Sequence, residues 1–256
     1  MMKFSRTTEK LYYSDFYLSQ TPARVVKLGP DFVELDVTIA FPEGGGQESD
    51  RGSIVLADGR VLRFIDVKRL YGHFSGLSEF SDLQVAGVIL HMIHPDDQPM
   101  LADLAIDAEV SVQIDVERRA RLSLSHTASH LLYLGVGQHR PDAVASTIGC
   151  HIKDDGARFD FGVAERFSAE QIALIESCAN AFVARAAAIT VSAHPSVPDA
   201  RLWHCEGHVI PCGGTHLDNA AAVGPIQVRR KSVGAGKERL ACSFAHAVLD
   251  LSRYHA

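Results

Sequence analysis

The sequence predicts an α+β protein in two successive parts. A small antiparallel β-barrel-like domain over residues 1–114 is followed by an α+β domain over 115–256, in which an antiparallel sheet carries helices on one face. Three observations predict this. Residues 11–115 are a succession of short alternating runs separated by turn signals. Near Asp115 the apolar period changes from that of a strand to that of a helix. Beyond that helix, hairpin signals bracket a second helical stretch.

Taken in order, residues 23–28 run into the turn Gly29-Pro30, and 32–39 place Val33, Leu35, Val37 and Ile39 on one face. Residues 53–56 lead through Ala57-Asp58-Gly59-Arg60 into 61–67 as a hairpin. Residues 87–91 and 108–114 continue the pattern, and the polar stretch 95–99 reads as a loop. Residues 117–122 enter a helix with apolar positions at Leu124, Ala128, Leu131 and Leu132, which Gly135 and Gly137 are expected to end. Residues 148–153 and 157–161 flank the hairpin turn Asp154-Asp155-Gly156. Ser168 with Gln171 is a capping box opening a helix whose buried face is Ile172, Ile175, Ala179, Phe182, Val183 and Ala186. Residues 189–193 read as a strand, Pro195 and Pro198 as a loop, and 225–230 and 239–244 as two strands joined by Gly234-Ala235-Gly236-Lys237.

The chain has 256 residues, 46% of them hydrophobic and 22% charged, which is ordinary globular composition. No apolar run reaches the length of a membrane span, and residues 1–10 lack the apolar core of a secretory signal, so a cytoplasmic protein with no membrane partner is expected. Five cysteines, an odd and sparse number, argue for reduced thiols over a disulfide framework. The formal charge of −6 excludes bulk attraction as the means of holding nucleic acid, so any RNA contact must use a local basic strip.

His126 and His130 lie one helical turn apart, so both imidazoles leave the same face. Downstream, Pro211-Cys212-Gly213-Gly214-Thr215-His216 offers a thiol and another imidazole at the same spacing. Together His126, His130, Cys212 and His216 make a tetrahedral Cys/His set of the kind Zn2+ prefers, and a set closed by four protein ligands resembles structural sites. In Phe41-Pro42-Glu43-Gly44-Gly45-Gly46-Gln47, consecutive glycines let backbone N–H groups approach a ligand, and Gln47 adds an amide that donates and accepts. Arg118, Arg119 and Arg121 precede the histidine pair, and Arg229, Arg230, Lys231, Lys237 and Arg239 cluster around the last hairpin. As groups flanking a metal pocket they can hold phosphates. Trp203-His204-Cys205-Glu206-Gly207-His208 is too tightly spaced for a second metal site, and Cys150, Cys178 and Cys242 read as buried. No Ser-His-Asp arrangement is evident, and Cys212 serves better as a ligand than as a nucleophile.

The segments 126–132, 212–216 and 42–47, with Lys10-Leu11-Tyr12-Tyr13-Ser14-Asp15 and 234–239, occur in an order that resembles AlaX-type proteins, the free-standing relatives of the editing domain of alanyl-tRNA synthetase. Threonyl-tRNA synthetase carries a related domain. The resemblance implies a β-barrel-like domain bearing the glycine-rich loop, then a zinc-binding α+β editing domain. It implies hydrolysis in trans of mischarged tRNA(Ala), chiefly seryl- and glycyl-tRNA(Ala). Carried over, His126, His130, Cys212 and His216 would be the zinc ligands. Thr127 would bond the seryl side chain, and Gln47 with Gly44, Gly45, Gly46, Gly213, Gly214 and Thr215 would close the pocket. Arg118, Arg119, Arg229, Arg230, Lys231 and Lys237 would meet RNA, on a monomer or a homodimer. Two other readings stay open: a non-catalytic RNA-binding module with structural zinc, and a zinc hydrolase of another small ester.

Overall fold

Strict alternation builds the N-terminal part. In the computed structural model, which describes residues 6–80 and 83–256, strands β1 (Gln20–Leu28), β2 (Phe32–Leu35), β3 (Gly52–Leu56), β4 (Val61–Leu70), β5 (Val88–Ile93) and β6 (Glu109–Ile114) close a barrel. Their order is β6-β1-β2-β5-β4-β3, with every neighbouring pair antiparallel. Closure leaves no unpaired edge. Val25, Val33, Ile54, Leu62, Phe64, Val67 and Val112 fill the interior. The polar stretch expected as a loop forms the 3₁₀ segment Pro95–Asp103 instead, started by Pro95 at its first position. Of the opening stretch 1–10, residues 1–5 lie outside the described residues. Among those described, no helix is long and apolar enough to cross a membrane.

Helix α1 (Val116–His139) follows the barrel directly, with the Asp115 carboxylate capping its first turn by accepting from Arg118 N at 3.0 Å. It does not end at Gly135. It runs through both glycines, because Gly135 is where α1 meets α3 (Ala169–Ala184): a β-carbon there would fall 2.7 Å from the Ile175 carbonyl oxygen. Close helix packing, not termination, accounts for that glycine. A short α2 (Pro141–Ala145) leads to strands β7 (Thr147–Lys153) and β8 (Gly156–Gly162). The Ser168–Gln171 capping box is present, and Ile175, Ala179 and Phe182 are buried, whereas Ala186 lies past the helix end with φ +52.

Strands β9 (Ile189–His194), β10 (Val197–Cys205) and β11 (His208–Pro211) make a three-stranded sheet, in which Pro198 belongs to β10 and only Pro195 and Ser196 form the turn. Strands β12 (Gln227–Gly234) and β13 (Lys237–Ser243) complete a four-stranded sheet of order β7-β8-β13-β12. Helices α1 and α3 pack with these strands around Leu131, Leu132, Phe161, Ile175 and Leu240.

Two arginines expected at an RNA surface join the parts instead. The Arg119 side chain is fully buried and pairs with the equally buried Asp50. It also donates to the carbonyls of Ile39 at 2.7 Å and Phe16 at 3.1 Å. Arg118 is 8% exposed and holds Glu48 and Asp154, each at 3.0 Å. The first turn of α1 abuts the loop after the barrel's second strand, so its cations face carboxylates and not solvent. Replacing Arg119 by Met is expected to cost about 3–5 kcal/mol by urea unfolding, since it strands the Asp50 charge, and Asp50→Asn in the same chain should restore much of the loss.

His91 gives the barrel a pH dependence. It is fully buried, bonded to Thr38 Oγ1 at 2.8 Å and facing the Val33 carbonyl at 3.2 Å, and burial pushes its pKa down to about 4. An unfolded imidazole protonates near pH 6.5, so the unfolded state binds the extra proton between these values. Stability is therefore full above pH 6.5 and falls towards pH 4. His91→Gln should flatten that part of the melting-temperature profile, by about 3 kcal/mol at most.

Candidate metal centre and its cavity

One turn of α1 separates His126 from His130, and the two rings meet edge to face with centroids 4.9 Å apart. Cys212 and His216 arrive on the turn after β11, which is tied down where Cys212 N donates to the Arg201 carbonyl at 2.9 Å. Gly214 lets this turn lie against the helix: a β-carbon there would fall 2.1 Å from His126 Cε1. The four donor atoms of His126, His130, Cys212 and His216 all lie within 4.8 Å of one another. Nε2 of His126 and Nε2 of His216 stand 3.4 and 3.3 Å from Cys212 Sγ. Two donors of a tetrahedral zinc, with bonds of roughly 2.1 Å to nitrogen and 2.3 Å to sulfur, stand roughly 3.6 Å apart.

Burial sets the charge states. It lowers the pKa of His126 to about 3 and those of His130 and His216 well below the ordinary imidazole value, so all three rings are neutral, the form that binds a metal. The same burial pushes the Cys212 thiol up to about 12. Nδ1 of His130 and Nδ1 of His216 are buried without a hydrogen-bond partner among the described residues. Three neutral imidazoles and a thiol, crowded together with little internal hydrogen bonding, fit the borderline-soft N/S set of zinc.

Gln47 stands behind this cluster. Its Oε1 accepts from His126 Nδ1 at 2.7 Å and from Thr215 N at 3.0 Å, while its Nε2 donates to Thr215 Oγ1 at 3.1 Å. An amide oxygen only accepts, so His126 carries its proton on Nδ1 and turns the Nε2 lone pair toward Cys212. Ser123 Oγ completes the chain by donating to Thr215 Oγ1 at 2.8 Å. The glycine loop is stitched to β7 where Ile152 N donates to the Gly46 carbonyl at 2.7 Å and Glu48 N to the Ile152 carbonyl at 3.1 Å.

A cavity of about 770 Å³ opens in front of the cluster, reached by His126, His130, Cys212, Gly44, Gly45, Gly213 and Gly214. Tyr133, Phe159 and Ile210 give it apolar walls, and Cys150 and Arg69 also line it. The expected set is thus only partly assembled at the cavity surface. Gln47 and Thr215 are fully buried and sit behind it. Thr127 is turned away: its hydroxyl donates to the Ser123 carbonyl at 2.8 Å and accepts from Leu217 N at 3.0 Å. Successive helical residues point about 100° apart, so the neighbour of an inward-facing His126 cannot share its direction. Thr127 therefore does not line this cavity. Arg229, Lys231 and Lys237 are exposed on the β12–β13 hairpin, and Arg230 is tied to Glu238 at 3.1 Å.

Other cavity residues had weaker signals. Tyr133 lies one turn beyond His130 on the same helical face, so its position was readable from the period that pairs the histidines. Cys150, expected to be buried, is half-buried at the cavity wall, its thiol 3.4 Å from the Gly45 carbonyl. His204 in the tight 203–208 cluster bonds the Ser192 hydroxyl at 2.9 Å across the β9–β10 pair.

No protein-family model matches the chain. It is 28% identical over 234 residues to the alanyl-tRNA editing protein AlaX-M of Pyrococcus horikoshii, covering 91% of this chain and 96% of that protein. It is 31% identical over 268 residues to the alanine–tRNA ligase of Methanopyrus kandleri, and 30% identical over 259 residues to that of Pyrococcus furiosus. Those matches cover 95% and 91% of this chain but only 27% and 25% of the ligases, so the chain spans about a quarter of their length. With a free-standing protein matched nearly end to end, and ligases matched over one segment, the chain is similar to AlaX-type alanyl-tRNA editing proteins.

Proposed function

We propose that this chain is an aminoacyl-tRNA deacylase that hydrolyses mischarged tRNA(Ala) in trans in the cytoplasm, releasing serine and glycine. The observation that carries this reading is that three segments distant in sequence, the glycine loop, α1 and the Cys212–His216 turn, meet at one open cavity. The barrel over 1–114 would present the loop, and the α+β part over 115–256 would hold zinc through His126, His130, Cys212 and His216. Bound there, zinc supplies a positive charge that can polarise an ester carbonyl or acidify a water molecule.

The chain's own groups supply the rest. Gln47 keeps His126 in the tautomer that leaves Nε2 free to bind. Tyr133, Phe159 and Ile210 would cover the apolar faces of a terminal nucleoside and exclude water. The exposed Arg229, Lys231 and Lys237 are the candidates for contact with the RNA backbone, without Arg118 and Arg119. Rejection of alanine would follow from a site that bonds a hydroxyl and leaves polar groups unpaired when it is missing. The acidic balance of −6 favours one other reading, a hydrolase of a small ester that ignores the tRNA body.

A deacylation assay on a panel of mischarged tRNAs decides between them. Ser-tRNA(Ala) should be hydrolysed and Ala-tRNA(Ala) spared, with activity lost on chelation and reduced about a hundredfold or more by His126→Ala or Cys212→Ala. Equal hydrolysis of both substrates would defeat the specificity, and turnover indifferent to the tRNA body would favour the small-ester reading. The metal fit has its own test in competition with a chromophoric chelator. Gln47→Ala should weaken zinc binding about 10–100-fold by freeing the His126 ring. Gly214→Ala should abolish stoichiometric zinc, because its methyl group would occupy the place of that ring.

A further inference from the structure

A second group of charges adjoins the Cys212–Gly214 turn and takes no part in the metal cluster. Arg69 on β4 lines the cavity and donates to the hydroxyls of Tyr12 at 3.2 Å and Tyr13 at 3.1 Å, and to the Gln84 carbonyl. Arg201 on β10 lies over the ring of Tyr13, 4.6 Å from its centroid. Two contacts connect this group to the turn. The Arg201 carbonyl accepts from Cys212 N at 2.9 Å, and the Tyr13 hydroxyl lies 3.5 Å from where a β-carbon on Gly213 would stand.

The charges here do not balance. Lys10 pairs with Asp199 at 2.8 Å, and neither arginine has a carboxylate at ion-pair distance among the described residues. Nε of Arg69 and Nε of Arg201 are both buried without a hydrogen-bond partner among the described residues. Arg201 donates no side-chain hydrogen bond among the described residues, although its guanidinium carries five N–H groups. A guanidinium partly stripped of water and placed over a phenol ring is held ready to meet an anion.

We propose that Arg201 and Arg69 seat a phosphate group, namely the 5′-phosphate of the terminal nucleoside whose 3′-ester faces the Cys212–Gly214 turn. The proposal rests on the deacylase reading. One ribose separates a nucleoside's 3′-ester from its 5′-phosphate, and a cavity of about 770 Å³ has room for the nucleoside between them. Two guanidiniums on different sides of Tyr13 suit a group with oxygens on several faces better than a flat carboxylate. The seat also gives a chain of net charge −6 a local means of holding RNA.

The test compares binding of two non-hydrolysable probes, 3′-deoxy-3′-(serylamino)adenosine with and without a 5′-phosphate, to the full-length protein and to Arg201→Gln. The phosphate should tighten binding to the unaltered protein roughly tenfold. Arg201→Gln should lose that gain while binding the unphosphorylated probe as before. The proposal is overturned if the phosphate brings no gain, if the variant keeps the gain, or if the variant binds both probes equally less well. The deacylase reading fails separately, when the unaltered protein leaves Ser-tRNA(Ala) intact whatever the probes do.

Discussion

Oε1 of Gln47 accepts from the Nδ1–H of His126 and from the backbone N–H of Thr215, and through these two bonds the glycine loop, α1 and the Cys212–His216 turn meet at one atom. The rest of the site depends on that meeting. It selects the His126 tautomer, aims Nε2 at the Cys212 sulfur, and holds the turn close enough that only glycine fits at position 214. A fully buried amide earns its place only when each of its polar groups is satisfied, and here oxygen and nitrogen both are.

Helix α1 is the element through which the barrel and the His/Cys cluster are kept in register. Its first turn grips the segment 48–50 with Arg118 and Arg119, its middle carries the two imidazoles, Tyr133 reaches the cavity, and Gly135 admits α3. The Arg119–Asp50 pair need not add net stability over an apolar pair of similar size, because both charges were taken out of water. What it fixes is position, since each partner is intolerable without the other. That constraint places the loop bearing Gln47 against the helix bearing His126.

Burial works in opposite directions on the His/Cys set. It keeps the three imidazoles neutral, the form in which a ring nitrogen can bind a metal, and it keeps the proton on the Cys212 sulfur. Nearby, Arg69 on the cavity wall and Arg201 over the ring of Tyr13 put positive charge beside the Cys212–Gly214 turn in a chain whose overall balance is acidic. Both arrangements depend on which groups share a low-dielectric wall, a property that no count of charges contains.

The sequence by itself determined the alternating strands of the barrel, the capping box at Ser168, the hairpins and the pairing of His126 with His130, because each rests on spacing within one local period. The glycine loop and the Cys-Gly-Gly-Thr-His turn could be singled out for the same reason. Where a decision depended on what lies opposite a residue, only the tertiary structure made it. Gly135 continues a helix because another backbone crosses there, and Arg118 and Arg119 are inside because carboxylates from the 48–50 and hairpin segments face them. Gln47 proved to be a support for His126 where pocket closure was expected, and Thr127 was removed from the cavity by the very helical rotation that brings the histidines together. Partners far apart in the chain are chosen by packing, and packing leaves no periodic trace in a sequence.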